Sequence, residues 1–180
     1  MPDLSDDFRA PSLKATWGAW DESDMSRFQL GRGTLTVRAK GVSPGHSSPL
    51  TVMARDTSYQ VQVVAAPQDG AGAALGLFYS PDHWVFAELK GGRLRIYGPR
   101  QTLSTRPWEA ATAHLRIVNR RNRVEFLVGQ NGRAWQSLAT DIDTSGFSNN
   151  ALHGFQALRP ALAASGAGSA RFTYFSYRAL

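Results

Sequence analysis

The chain has 180 residues, 42% hydrophobic and 19% charged, with no cysteine and a formal net charge of +6. That length and balance describe a globular chain with a sizeable core and exclude intrinsic disorder, while the lack of cysteine excludes disulfides and thiolate chemistry. No apolar run reaches the length of a membrane span, and "MPDLSDDFRAPS" has neither the basic nor the apolar region of a signal peptide, so secretion would require a leader upstream.

A pI near 10.2 raises the question of nucleic acid. The lysines are only Lys14, Lys40 and Lys90, and the arginines are scattered along the chain. Their one cluster, "NRRNR" (119–123), lies between the strand-like runs "HLRIV" and "VEFLV" and reads as a polar hairpin turn rather than a phosphate clamp. Nucleic acid and membrane are therefore not expected partners.

In chain order, strands are predicted at "RFQL", "TLTVRA", "YQVQVVA", "AALGLFY", "WVFAEL", "RLRIY", "HLRIV", "RVEFLV", "WQSLA", "GFQAL" and "RFTYFSY". Turn signals separate them: "GRG", "PQDG", "SPDH", "KGG", "RRN", "GQNG", "SNN" and "ASGAG". "RPWEAATAHL" offers at most a short turn, and helical periodicity is nearly absent. Short strands without helical crossovers predict one all-β domain over 1–180, an antiparallel two-sheet β-sandwich of jelly-roll type. "KGVSPGHSSP" (40–49) is a long loop within it, and such loops often carry function.

The central hairpins can be read residue by residue. A four-residue "SPDH" loop pairs Tyr79 with Trp84, and a two-residue "GG" turn pairs Lys90 with Arg93, setting Glu88 opposite Arg95 and Phe86 opposite Tyr97. One sheet face is then Phe78, Val85, Ala87, Leu89, Leu94 and Ile96, an ordinary core face. The other carries Leu75, Leu77, Tyr79, Trp84, Phe86, Glu88, Arg95 and Tyr97. Aromatics beside an acid and a base admit two readings. Another layer of the protein covers the face, with Glu88 and Arg95 as a cross-strand pair. Alternatively the face binds sugar, its rings stacking on pyranose C–H faces while Glu88 and Arg95 bond hydroxyls.

Catalytic constellations are weak. Asp82 and His83 sit at a hairpin tip, where neighbours point apart, and Ser80 shares the same turn with no oxyanion-hole motif. Glu88 and Glu125 are isolated, without the paired carboxylates that glycoside hydrolysis needs. His46, His83, His114 and His153 lack zinc spacing. Asp6 with Asp7, and Asp141 with Asp143, offer oxygens to a structural calcium, though solvated strand ends explain both pairs. No cofactor and no metal are predicted.

The pieces "LSDDF", "GTLTVRAKG", "SSPL", "GAALGLFYS", "GRLRIYG", "HLRIVNRRNRVEFLV", "ALRPAL" and "ARFTYFSYR" occur in an order that resembles the C-terminal concanavalin A-like β-sandwich module of family 43 glycoside hydrolases, the β-xylosidase and arabinofuranosidase family. Some of these modules are classed as carbohydrate-binding module family 91. The resemblance spans essentially the whole chain. It implies a non-catalytic accessory domain, because the family's hydrolytic carboxylates belong to a propeller that is not in this sequence. The implied partners are xylan or a related hemicellulose and a family 43 catalytic domain, with extracellular or periplasmic placement if the parent enzyme is secreted.

Two candidate carbohydrate sites follow. Tyr79, Trp84 and Tyr97 would stack sugar, with Glu88 and Arg95 bonding hydroxyls. Trp20, Glu22, Arg27, His153 and Arg159 form a second polar cluster at strand-flanking positions that match the family pattern. The alternative is a docking domain that stabilises a catalytic partner and binds little alone.

Overall fold

A computed structural model describes residues 3–154 and 156–180. Its strands, in chain order, are β1 (Trp17–Ala19), β2 (Phe28–Gly31), β3 (Thr34–Arg38), β4 (Leu50–Val52), β5 (Ser58–Gln68), β6 (Gly72–Ser80), β7 (His83–Lys90), β8 (Arg93–Tyr97), β9 (Thr102–Pro107), β10 (Ala113–Arg120), β11 (Arg123–Gly129), β12 (Gln136–Asp143), β13 (Arg159–Ser165) and β14 (Ser169–Ala179). They form two antiparallel sheets of seven, ordered β1-β4-β13-β6-β7-β8-β9 and β12-β11-β10-β5-β14-β3-β2. A one-turn helix, α1 (Asn149–Leu152), is the only α-helix among the described residues, and no helix there is long and apolar enough to cross a membrane.

Period-two alternation builds the core. Tyr59, Val61, Val63 and Ala65 of β5, Leu115 and Ile117 of β10, and Val124, Phe126 and Val128 of β11 point inward from one sheet. Leu75, Leu77, Val85, Ala87, Leu89, Leu94 and Ile96 meet them from the other. At the open end, Trp17 packs edge-on against Phe175, with 4.8 Å between ring centroids. Its indole N–H donates to Asp6 Oδ2 at 3.0 Å, and Asp6 Oδ1 accepts from the Phe8 amide at 2.9 Å.

The Gly91-Gly92 hairpin has the register read from its turn, and the expected hairpin turn at 119–123 is present. Lys90 pairs with Arg93 around Gly91-Gly92, setting Glu88 opposite Arg95 and Phe86 opposite Tyr97. Arg120 pairs with Arg123 around Arg121 and Asn122, both at positive φ, as a two-residue primed turn requires. The β6–β7 hairpin differs from expectation. Ser80 pairs with His83 across a two-residue Pro81-Asp82 turn, Trp84 pairs with Phe78, and the irregularity falls at Tyr79. That one-residue difference turns β6 over: Leu75 and Leu77 enter the main core, and Phe78 takes the place expected for Tyr79.

"GFQAL" is not a strand in its described residues, Phe155 lying outside them; the strand starts at Arg159 instead. β1, β4, β9 and β13 have no counterpart in the predicted set. The first two are only three residues long, and β9 carries few large apolar side chains.

Candidate functional site

The outer face of the first sheet runs in rows. One row is Thr51, Ala161, Gly76, Phe86 and Tyr97; its neighbour is Ala163, Ala74, Glu88 and Arg95; a third holds Arg159, Phe78 and Trp84. Ala74, Phe78, Trp84, Phe86, Tyr97, Ala161 and Ala163 form a second apolar cluster on this face. It is packed rather than presented. Trp84 is 2% exposed, Phe86 0% and Tyr97 6%: the 40–49 loop lies on Trp84, and Phe86 and Tyr97 pack against that indole, with Arg95 over the Tyr97 ring. A Cβ on Gly45 would come within 2.0 Å of Trp84 Nε1, so only glycine lets the loop lie on the indole. The Trp84 N–H donates to Pro81 O at 2.7 Å.

Glu88 is buried in this layer. Its carboxylate accepts from the Tyr97 hydroxyl at 2.7 Å and from the Ser165 hydroxyl. A Cβ at Gly72 would meet Glu88 Oε1, so glycine makes room for the acid. Arg95 stands opposite Glu88 in register, but its guanidinium lies 3.5 Å over the Tyr97 ring instead of on the carboxylate. Burial, together with the Glu88 charge, pushes the Tyr97 phenol well above its ordinary range. Tyr79 is buried too, and its hydroxyl donates to Asn149 Oδ1 at 3.2 Å, tying down α1.

The loop is strapped from beneath. Arg27, 5% exposed, ends a 3-10 turn (Glu22–Arg27). It donates to the carbonyls of Ser47 at 2.7 Å and Arg38 at 2.9 Å and lies 3.6 Å from Asp24. Lys40 pairs with the same carboxylate at 2.7 Å. The Lys40 hydrogen bond holds the Asp24 carboxyl below its usual range, with the Arg27 charge assisting and burial opposing. The Asp21 amide donates to Ser48 Oγ at 3.0 Å.

At the loop's rim the surface opens. Trp20 is 37% exposed and packs edge-on against Phe78, 5.2 Å between centroids. It lines a groove of about 510 Å³ with Asp21, Glu22, Lys40, His46 and Pro81. An accessible indole thus lies beside two exposed carboxylates, an ammonium and an imidazole. Of the second predicted cluster, the structure brings Trp20 and Glu22 together here and sets Arg27 beneath them as a clamp. His153 is exposed at the C-terminal cap of α1, away from this groove's lining. Arg159 lines a different cavity, with Thr16, Gly18, Thr51 and Met53. Lys40 and His46 are the groove residues that sequence reading passed over. Their only signal was membership of the Pro/Ser/Gly-rich loop.

A third recess, of about 410 Å³, is lined by Asp82, His83, Arg100, Leu103, Asp143 and Phe147 among others. His83 Nδ1 lies 3.1 Å from Ser80 Oγ, its partner across the turn, and the ring packs edge-on against Tyr79 and Phe147. Asp82 makes no hydrogen bond to it among the described residues, so no Asp–His couple is assembled at this tip. Among the described residues no three His, Asp or Glu side chains converge as metal ligands would. Asp7 pairs with Arg9, and Asp141 and Asp143 flank Arg123.

Comparison with known proteins places this geometry in context. Residues 5–178 match the family model described as the β-xylosidase C-terminal concanavalin A-like domain. No curated protein matches the chain in sequence. Among solved structures, the xylan β-1,4-xylosidase of Bacillus halodurans is similar at 24% identity and a TM-score of 0.83, over 99% of this chain and 39% of that one. The GH43 BlXynB protein of Bacillus licheniformis aligns at 18% identity and a TM-score of 0.84, over 98% and 39%. A functionally unknown protein of Saccharomyces cerevisiae aligns at 13% identity and a TM-score of 0.60, over 92% of this chain and 96% of its own. These likenesses establish the fold, and the chain spans about 39% of the length of the two bacterial relatives.

Proposed function

The chain belongs to the family of β-xylosidase C-terminal concanavalin A-like domains, and from that premise we propose that it is a non-catalytic accessory module that contacts xylan-type polysaccharide and works beside a family 43 catalytic domain. The observation that carries the sugar-binding part is the open indole of Trp20 in a groove of hydrogen-bonding side chains. A pyranose stacked on that ring would meet Asp21, Glu22, Lys40 and His46 around its edge, the pairing of apolar face and polar rim that sugars need. Trp84, Tyr79 and Tyr97 have no open ring face, so the stacking role first assigned to them passes to Trp20. Glu88 and Arg95 then act within the sheet, Glu88 as an acceptor for two hydroxyls and Arg95 as a cover on Tyr97. The partner half of the proposal is supported by the family and by neighbours that carry this fold as 39% of a longer chain. One aromatic platform and a solvated rim give modest affinity.

Affinity electrophoresis through gels holding xylan, arabinoxylan, β-glucan or no polymer tests the reading. Retardation on the xylans that disappears in Trp20→Ala is the expected result. Free migration of the wild-type protein in every gel would leave a docking domain without sugar binding of its own.

A further inference from the structure

Arg159 is a half-buried guanidinium without an acid. Among the described residues it forms no ion pair, and its side chain donates to Gln156 Oε1, 3.4 Å from Nη2. Its Nε is shut off from solvent and has no hydrogen-bond partner. Buried cationic nitrogens are ordinarily paired, because an unmatched charge loses its hydration for nothing. A second atom in the same condition, Thr16 Oγ1, lines the same cavity. The cavity holds about 410 Å³ and is framed by Trp17, Gly18, Thr51 and Met53, with Arg55 at its rim and no acidic residue in its lining. Arg55 already has Asp3 within electrostatic reach, which leaves Arg159 Nε and Thr16 Oγ1 as the unanswered atoms. Two unanswered groups, one of them cationic, around an acid-free recess suit an acceptor with negative charge. The planar guanidinium matches the geometry of a carboxylate.

Its position selects which carboxylate. Arg159 is the register partner of Phe78, and Trp20 packs on that same Phe78 ring at 5.2 Å. Gly18 of β1 lines the cavity while Trp20, two residues on, lines the sugar groove, a separation of about 7 Å along an extended chain. One pyranose and its substituent span such a gap.

We propose that the Arg159–Thr16 cavity is a subsite for the carboxylate of a hexuronosyl substituent on the glycan that Trp20 contacts; in this it rests on the glycan reading above. A neutral main-chain sugar lies on Trp20, and the acidic branch turns into the cavity, where a small shift of the two side chains lets Arg159 Nε–H and the Thr16 hydroxyl, both closed to solvent in the unliganded fold, donate to its carboxylate. The site adds preference for acidic over neutral xylan without requiring new contacts to the main chain.

Two measurements test this separately from the parent reading. In the first, sodium glucuronate and glucose are titrated into labelled protein while the arginine Nε–H resonances are followed. Glucuronate alone should shift the Arg159 signal, and Thr16→Val should weaken that response several-fold. In the second, gel retardation is compared on glucuronoxylan and on the same polymer with its carboxyls reduced. Wild-type retention should fall several-fold on reduction. Arg159→Gln should remove the difference while keeping retention on neutral xylan. Retention on neutral xylan with no glucuronate response, or a Thr16→Val and Arg159→Gln preference equal to wild type, overturns the subsite and leaves the Trp20 reading standing. A glucuronate response at Arg159 without retention on any polymer upholds the carboxylate pocket and sinks the Trp20 reading instead.

Discussion

The two sheets turn very different outer faces away from their shared core. The first carries Phe78, Trp84, Phe86 and Tyr97, all buried, Trp84 beneath the 40–49 loop, Phe78 against Trp20 and Tyr97 under Arg95. The second carries Gln60, Gln62, Arg116 and Glu125, all half-exposed, with Arg116 donating to Gln62 across the strands at 2.7 Å and lying over the Trp135 ring at 3.7 Å. Aromatic density on a strand therefore marks the more enclosed face here, and the polar face is the solvated one. Within the first sheet the same contrast recurs at short range. Trp84 is sealed under Gly45, whereas Trp20, at the margin of the same layer, keeps an open ring beside charged groups. One indole is built into the packing, and the other is the one proposed to meet sugar.

Substitutions at the two tryptophans and at the strap between them should separate those roles. Trp84→Ala should cost about 3–5 kcal/mol in chemical denaturation, as for other large aromatics removed from a packed core. A loss under about 1 kcal/mol would mean that the loop does not seal the ring. Arg27→Ala should cost about 2 kcal/mol by stranding the buried carbonyls of Ser47 and Arg38, and limited proteolysis should then cut within 40–49. If cleavage there is unchanged, Arg27 is not the strap. Trp20→Ala should cost only about 1 kcal/mol, the worth of its contact with Phe78, while removing xylan retention.

The smallest effect concerns acid. Asp24 has a folded-state pKa below its unfolded value, so its contribution is complete above the unfolded value and fades as pH falls through the folded one. Stability should decline below about pH 4, and Asp24→Asn should flatten that decline. An unaltered acid profile in the variant would show that the Lys40–Asp24–Arg27 group does not hold the loop.

Where turn chemistry is local, the sequence carries the register: Gly91-Gly92 fixes its hairpin and, with it, the pairing of Glu88 with Arg95, and "NRRNR" marks the place of the β10–β11 turn. The β6–β7 register is not local in that sense. Pro and Asp suit a two-residue turn as well as a four-residue loop, and the irregularity at Tyr79 breaks the period-two pattern on which face assignments depend. β13 escaped because "RPALAAS" is rich in alanine and contains proline, poor strand formers by propensity. It is a strand because β4 and β6 pair with it on both sides. Trp20 and Glu22 were legible as neighbours in sequence. The covering of Trp84 was not, since it depends on Gly45 being folded back by Arg27 and Asp24, contacts that no periodicity encodes.

The most direct test of the recognition claim is the response of the five indole N–H resonances to a xylo-oligosaccharide. The account predicts that the Trp20 signal moves with saturation while those of Trp17, Trp84 and Trp108, buried in the fold, hold their positions. A shift at Trp84 with Trp20 unmoved would contradict it, placing the sugar on the sheet face after displacement of the loop.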